Sequence, residues 1–104
     1  MGRKTLETLS EGMFYVLMAL LHAQRCGTEI AAFVEERTGG RVRLGPGTLY
    51  TILGKFEEEA LIRETAVQGR KRTYQLTGEG KERYQAEVDR LRRCLADAEE
   101  ESLC

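Results

Sequence analysis

No tryptophan occurs in this chain, and histidine and proline occur once each, at His22 and Pro46. One histidine leaves no nucleophile–base pair visible in the sequence and no histidine cluster for a metal. Cys26, Cys94 and Cys104 are odd in number and widely spaced, so they define neither a disulfide framework nor a Cys-x-x-Cys site, and reduced thiols are expected. His22 and Cys26 lie four apart and could share a helix face, but a zinc site needs about four ligands and no adjacent pair supplies the rest. The glycines between 39 and 47 are not followed by Gly-Lys-Ser/Thr, which excludes a phosphate-binding P-loop. Neither metal, cofactor nor catalysis is expected. Long apolar runs are also missing. The longest, Met13 to Leu21, is nine residues and too short to span a bilayer. The first seven residues lack a signal peptide's apolar core and cleavage site, so the expected location is the cytoplasm, with no membrane partner.

What is present is one domain's worth of chain, 104 residues, 41% hydrophobic and 32% charged. A domain this small buries only about 60–70% of its unfolded surface, so a second copy would add useful burial. Net charge is −1, yet it is unevenly spread. Residues 41–76 hold seven Lys/Arg (Arg41, Arg43, Lys55, Arg63, Arg70, Lys71, Arg72) against four Glu, whereas residues 77–104 hold five against eight. A basic middle between acidic flanks suits a molecule that turns one face to DNA.

Leu9, Met13, Val16, Leu17, Leu20 and Leu21 recur at helical spacing and predict a first helix from about Thr8 or Ser10 to Ala23. Cys26-Gly27-Thr28 interrupts the pattern. A second helix is predicted from about Thr28 to Thr38, ended by Gly39-Gly40. Arg41 to Leu44 alternates like a very short strand. Gly45-Pro46-Gly47 opens a third helix, about 46–59, with Leu49, Ile52, Leu53 and Phe56 on one face. Its acidic end, Glu57-Glu58-Glu59, opposes the helix dipole. Leu61–Val67 and Arg72–Leu76 read as two strands around the charged turn Gln68-Gly69-Arg70-Lys71, a β-hairpin. Thr77 then caps a long last helix in which Tyr84, Val88, Leu91, Leu95 and Ala98 follow a heptad spacing among charged residues. So narrow a stripe on so long a helix has little to pack on inside a domain this small, and a second subunit is the expected cover.

The order is mainly α with a small β-hairpin (α+β): three helices, a basic hairpin and a long helix, the arrangement of a winged helix-turn-helix. The third helix can enter a major groove while the hairpin tip, 68–72, reaches backbone or minor groove. Its outer face carries Gly47, Thr51, Gly54 and Glu58, flanked by Thr48, Tyr50 and Lys55. Small residues there permit close approach, and Thr48, Tyr50 and Thr51 offer hydroxyls. Arg70, Lys71 and Arg72 supply charge to phosphates. Tyr50 is equally able to half-cover the core.

The run Leu44-Gly45-Pro46-Gly47-Thr48-Leu49-Tyr50-Thr51-Ile52-Leu53 resembles a pattern of the PadR-like regulators: Leu-Ser-Pro-Gly-Thr-Leu-Tyr-Pro-x-Leu. Glu57 to Ile62 resembles the segment that follows it. Residues 69–80, Gly-Arg-Lys-Arg-Thr-Tyr-Gln-Leu-Thr-Gly-Glu-Gly, look like that family's wing and the start of its last helix. Cys26-Gly27-Thr28-Glu29-Ile30 stands where the family has His-Gly-Tyr-x-Ile. The similarity covers roughly residues 10–95. It implies a cytoplasmic bacterial repressor or activator, homodimeric through the last helix with help from the first, of the short branch with a single C-terminal helix. Gly45 replaces a serine, Thr28 an aromatic, Thr51 a proline and Ala60 a glycine, which affects sequence preference more than fold. Some relatives hold flat aromatic drugs with a tryptophan that this chain lacks.

The expectation is therefore a winged-helix DNA-binding domain over 1–76 and a C-terminal dimerisation helix over 77–104 packed on it. Gly47, Thr48, Tyr50, Thr51, Lys55, Arg70, Lys71 and Arg72 are expected to face double-stranded, palindromic operator DNA. Tyr84, Val88, Leu91 and Leu95 are expected to form the seam of a homodimeric repressor, with room left for a small-molecule effector of unknown identity. The rival expectation is a winged-helix module that binds protein rather than DNA.

Overall fold

The structure, a computed structural model, describes residues 8–102. The first helix, α1 (Glu11–Ala19), starts where Ser10 accepts a hydrogen bond from the Met13 N–H at 3.2 Å. It stops at Ala19, not at Ala23. The cause is Arg25: its Nε donates to the Ala19 carbonyl at 2.6 Å while its guanidinium lies 4.9 Å from the Phe33 ring centre. That arrangement needs the chain to turn over 20–24 and come back. His22 therefore sits in an exposed turn rather than on a helix face shared with Cys26. No three His, Cys, Asp or Glu side chains among the described residues come together as a metal site.

The returning segment is a short strand, β1 (Arg25–Cys26), followed directly by α2 (Gly27–Arg37). Glu29 accepts the Cys26 N–H at 2.9 Å and closes the start of α2. Thr38 ends it, and Gly39 and Gly40 take φ of +61° and +83°, a backbone that glycine adopts without strain. Arg41–Leu44 is not a strand. The Val42 N–H is taken by the Thr38 hydroxyl at 3.0 Å, and Arg41 is drawn to Glu11 and to the Tyr15 hydroxyl of α1. The segment is thus a tether across the bundle, with no ladder left to join.

α3 (Pro46–Glu58) buries Leu49, Ile52, Leu53 and Phe56. It ends in a Schellman turn: the Leu61 N–H reaches the Phe56 carbonyl at 2.9 Å and the Ala60 N–H reaches that of Glu57 at 3.0 Å. Ala60 takes the φ of +61° that this turn demands. β2 (Ile62–Gln68) and β3 (Lys71–Leu76) form the wing hairpin, paired from Ile62↔Leu76 to Gln68↔Lys71 with a bulge at Thr65. Gly69, φ +61°, is the first of two loop residues, as in a type II′ hairpin. β1 adds to the far side of β3, giving an antiparallel sheet in the order β1-β3-β2. This third strand has no signal in the sequence, because two residues are too few for an alternation to show.

Thr77 joins the hairpin to the last helix, α4 (Gly78–Ser102). Its hydroxyl accepts the Gly80 N–H at 3.0 Å and donates to the Ala60 carbonyl at 2.7 Å, and its own N–H reaches the Leu61 carbonyl at 3.0 Å. Phe56, Leu17, Ile30, Leu53, Val16 and Val34 form the centre of the core. α4 leans on α1 only through its first half, where the Tyr84 and Phe14 rings stack 5.2 Å apart. Every residue of α4 from Leu91 to Ser102 is exposed. No helix among the described residues is long and apolar enough to cross a membrane.

Candidate nucleic-acid interface

Packing the four-residue apolar stripe of α3 into the core turns its other side outward. Gly47, Thr48, Tyr50, Thr51, Gly54 and Lys55 are all exposed, as the helical spacing predicts. A Cβ placed on Gly47 or Gly54 would meet nothing within 4 Å, so this face is open to an approaching surface. The Thr51 hydroxyl donates to the Gly47 carbonyl at 2.9 Å. Its proton is therefore used within the helix, and Thr51 faces outward as an acceptor with a methyl group.

Tyr50 is 49% exposed, and its ring reaches toward the first residue of α2. There an open cleft of about 370 Å³ is lined by Cys26, Gly27, Thr28, Tyr50, Arg70, Lys71 and Arg72. The fold thus brings one aromatic of α3 and the three wing cations, twenty or more residues apart in sequence, to a single concavity. Arg72 is partly neutralised by Glu64, 3.4 Å away on the neighbouring strand. Thr48, Thr51 and Lys55 share the exposed side of α3 but do not line that cleft.

The start of α2 is the part of this surface that the sequence did not place beside α3 and the wing. Its signal was there: Glu29 follows Cys26 by three, the spacing of a helix cap, in a segment already matched to a family motif. The Cys26 N–H holds the Glu29 carboxyl below the usual carboxylate range, helped by the Cys26 side chain and by the charges of Lys71 and Arg25. A fixed negative charge thus lies near a wing cation beside the cleft.

The expected seam residues lie elsewhere. Tyr84 is half-buried against Phe14, Val88 is half-buried, and Leu91 and Leu95 are 40% and 58% exposed. A second hollow, about 320 Å³, lies between the start of α1 and α4 and is lined by Leu9, Phe14, Tyr15, Glu87, Arg90 and Leu91 among others. Glu87 is 2% exposed; Arg90 hydrogen-bonds its carboxyl at 2.5 Å and Arg83 approaches at 3.5 Å. Arg90 is the main cause that holds its pKa below the ordinary 4.5, against the opposing effect of burial.

Three helices carrying a hairpin wing, with a helix face and wing cations exposed together, define a winged helix-turn-helix of the kind found in transcription regulators. Within that class the chain belongs to the transcriptional regulator PadR-like family, whose model matches residues 16–86. The family is one of transcription regulators. A transcriptional regulator from Clostridium thermocellum superposes with a TM-score of 0.75 at 20% identity, covering 85% of this chain and 89% of that one. Bacillus subtilis PadR, solved in complex with operator DNA, superposes with a TM-score of 0.64 at 24% identity over 73% of this chain and 46% of that one. An uncharacterised 37.1 kDa protein of a Streptomyces fradiae transposon is 34% identical over 84 residues, 81% of this chain. The match spans only 24% of that protein's length.

Proposed function

We propose that this chain is a sequence-specific DNA-binding repressor that acts as a homodimer, with α3 in the major groove and the wing tip, 68–72, on the backbone or minor groove. The observation that carries the proposal is the convergence of Tyr50 with Arg70, Lys71 and Arg72 at one cleft beside the open face of α3. B-DNA's major groove is wide enough for a helix, and flanking phosphates want cations. That Bacillus subtilis PadR was solved in complex with operator DNA supports DNA as the partner here. Gly47, Thr48, Tyr50, Thr51 and Lys55 then face the groove, and the three wing cations face phosphates.

Residues 1–76 act as the DNA-binding unit and 77–104 as the dimerisation helix packed on it. Leu91 and Leu95, four apart and exposed on the second half of α4, support a second copy as the cover. Two-fold symmetry then makes the operator palindromic. Repression follows because a dimer seated on a promoter blocks access to it.

The test is selection of duplexes by the purified chain from a random-sequence pool. The expected product is an inverted repeat whose half-sites lie about one helical turn, 10–10.5 bp, apart or a multiple of it. A folded dimer that enriches no duplex would overturn the DNA reading and leave the protein-binding module in its place.

A further inference from the structure

Gly27 is the first residue of α2 and is buried. Glycine is a poor helix residue, and the usual reason to keep it does not apply here. Among the described residues the glycines with positive φ are Gly39, Gly40 and Gly69, so any residue could adopt the backbone of Gly27. What a side chain here would change is the space that the Tyr50 ring occupies. A Cβ at this position would lie 2.4 Å from Tyr50 Oη, 3.0 Å from Cζ and 3.3 Å from Cε1. All three nearest atoms belong to one side chain, the aromatic that α3 contributes to the cleft shared with Arg70, Lys71 and Arg72.

We propose that Gly27 is a positioning residue for DNA recognition: its bare Cα is the seat that holds the Tyr50 ring in the cleft, and it sets sequence preference through Tyr50. The inference rests on the DNA reading given above. Tyr50 has few rotatable bonds, so pinning its hydroxyl end fixes the plane of the ring and the edge it turns outward. The far end of a half-exposed side chain yields easily. A methyl group at 27 therefore turns Tyr50 out of the cleft without disturbing the core, and its effect is on recognition, not on folding.

The experiment is a double-mutant cycle of Gly27→Ala and Tyr50→Ala. Each variant is titrated against a duplex selected by the wild type from a random pool and against a scrambled duplex. Gly27→Ala is expected to weaken the selected duplex by between about fivefold and about 150-fold, the range for removing one base-reading side chain. It should change scrambled-duplex binding by less than about twofold. In the Tyr50→Ala background it should change neither duplex by more than about twofold, since the two act through one ring. With no DNA present, ring-labelled tyrosine spectra should show one resonance moved by Gly27→Ala, the one that Tyr50→Ala removes. Equal losses on both duplexes, or an undiminished effect without the Tyr50 ring, would mean that the start of α2 meets DNA directly, and the proposal fails. Wild-type-like binding by Gly27→Ala also overturns it. A Gly27→Ala variant that does not fold also overturns the proposal, since the Tyr50 ring is expected to yield without disturbing the core. A wild type that binds no duplex defeats the DNA reading and this inference with it, whereas binding with additive losses defeats this inference alone.

Discussion

Two residues at the junction of α3, wing and α4 behave oppositely under small substitutions. Ala60 holds φ +61°, where its methyl group crowds the backbone; the Schellman turn at the end of α3 imposes that angle. Ala60→Gly is expected to raise stability by about 1 kcal/mol, measured by urea unfolding, since the relief exceeds the entropy that glycine loses. A less stable variant would show that the turn carries no strain. At Gly80 the reverse holds. A Cβ there would lie 2.1 Å from the Leu61 carbonyl oxygen and 2.7 Å from Leu76 Cδ1, and a carbonyl oxygen of the backbone cannot step aside. Gly80→Ala is expected to cost about 1–3 kcal/mol by pushing α4 off the hairpin, seen as a lowered thermal midpoint. An unmoved midpoint would mean that the junction is loosely packed. Glu87 adds a pH dependence. Its folded pKa is depressed, so its contribution is present above the ordinary 4.5 and is lost as pH falls through the lower folded value. Acidification in that range should destabilise the wild type more than Glu87→Gln in unfolding titrations; parallel curves would contradict this.

At the scale of elements, the proposed DNA-bound state would divide the work between α3 and the wing by chemistry. Tyr50 and Thr51 belong to the face that would enter the groove, and the hydroxyl proton of Thr51 is already committed to Gly47. Arg70 and Lys71 are exposed cations at the hairpin tip. Replacing Tyr50 or Thr51 by Ala should weaken the selected duplex more than scrambled DNA, by about 1–3 kcal/mol for each base-reading side chain removed. Replacing Arg70 or Lys71 by Ala should weaken both alike and lower the slope of log affinity against log salt by about 0.9 for each phosphate no longer neutralised. Salt titrations of each variant on both duplexes distinguish the patterns. Unaltered binding throughout would remove this surface as the DNA site.

The described residues measure 57 × 40 × 23 Å, and α4 ends in an arm exposed from Leu91 to Ser102. Leu91 and Leu95 on that arm are apolar groups left in water by a single chain. In a two-fold dimer this patch would meet the same patch of the partner, and Leu91→Asp would bury a charge without a partner. Light scattering should then find monomer or unfolded chain; an unchanged dimer that still binds DNA would rule out the seam.

The elements with strong periodicity were determined by the sequence alone. The apolar spacing of α3, the glycine at the wing tip, the Thr77 cap and the heptad stripe are local patterns, and local patterns survive in one dimension. The motif around Pro46-Gly47-Thr48-Leu49-Tyr50 likewise points to the family without any coordinate. Tertiary structure decided what depends on distant partners. Arg25 stopped α1 at Ala19 by reaching across a turn to its carbonyl and to Phe33. Thr38 and Glu11 turned Arg41–Leu44 from an alternating segment into a tether. β1 exists only because β3 passes beside two residues that carry no strand pattern of their own. The seat of Tyr50 on Gly27 joins residues 23 apart, and neither shows in sequence which atom of the other it must accommodate. Helical and strand periods are set by the backbone of each segment, but steric fit between segments is set only when the core brings them together.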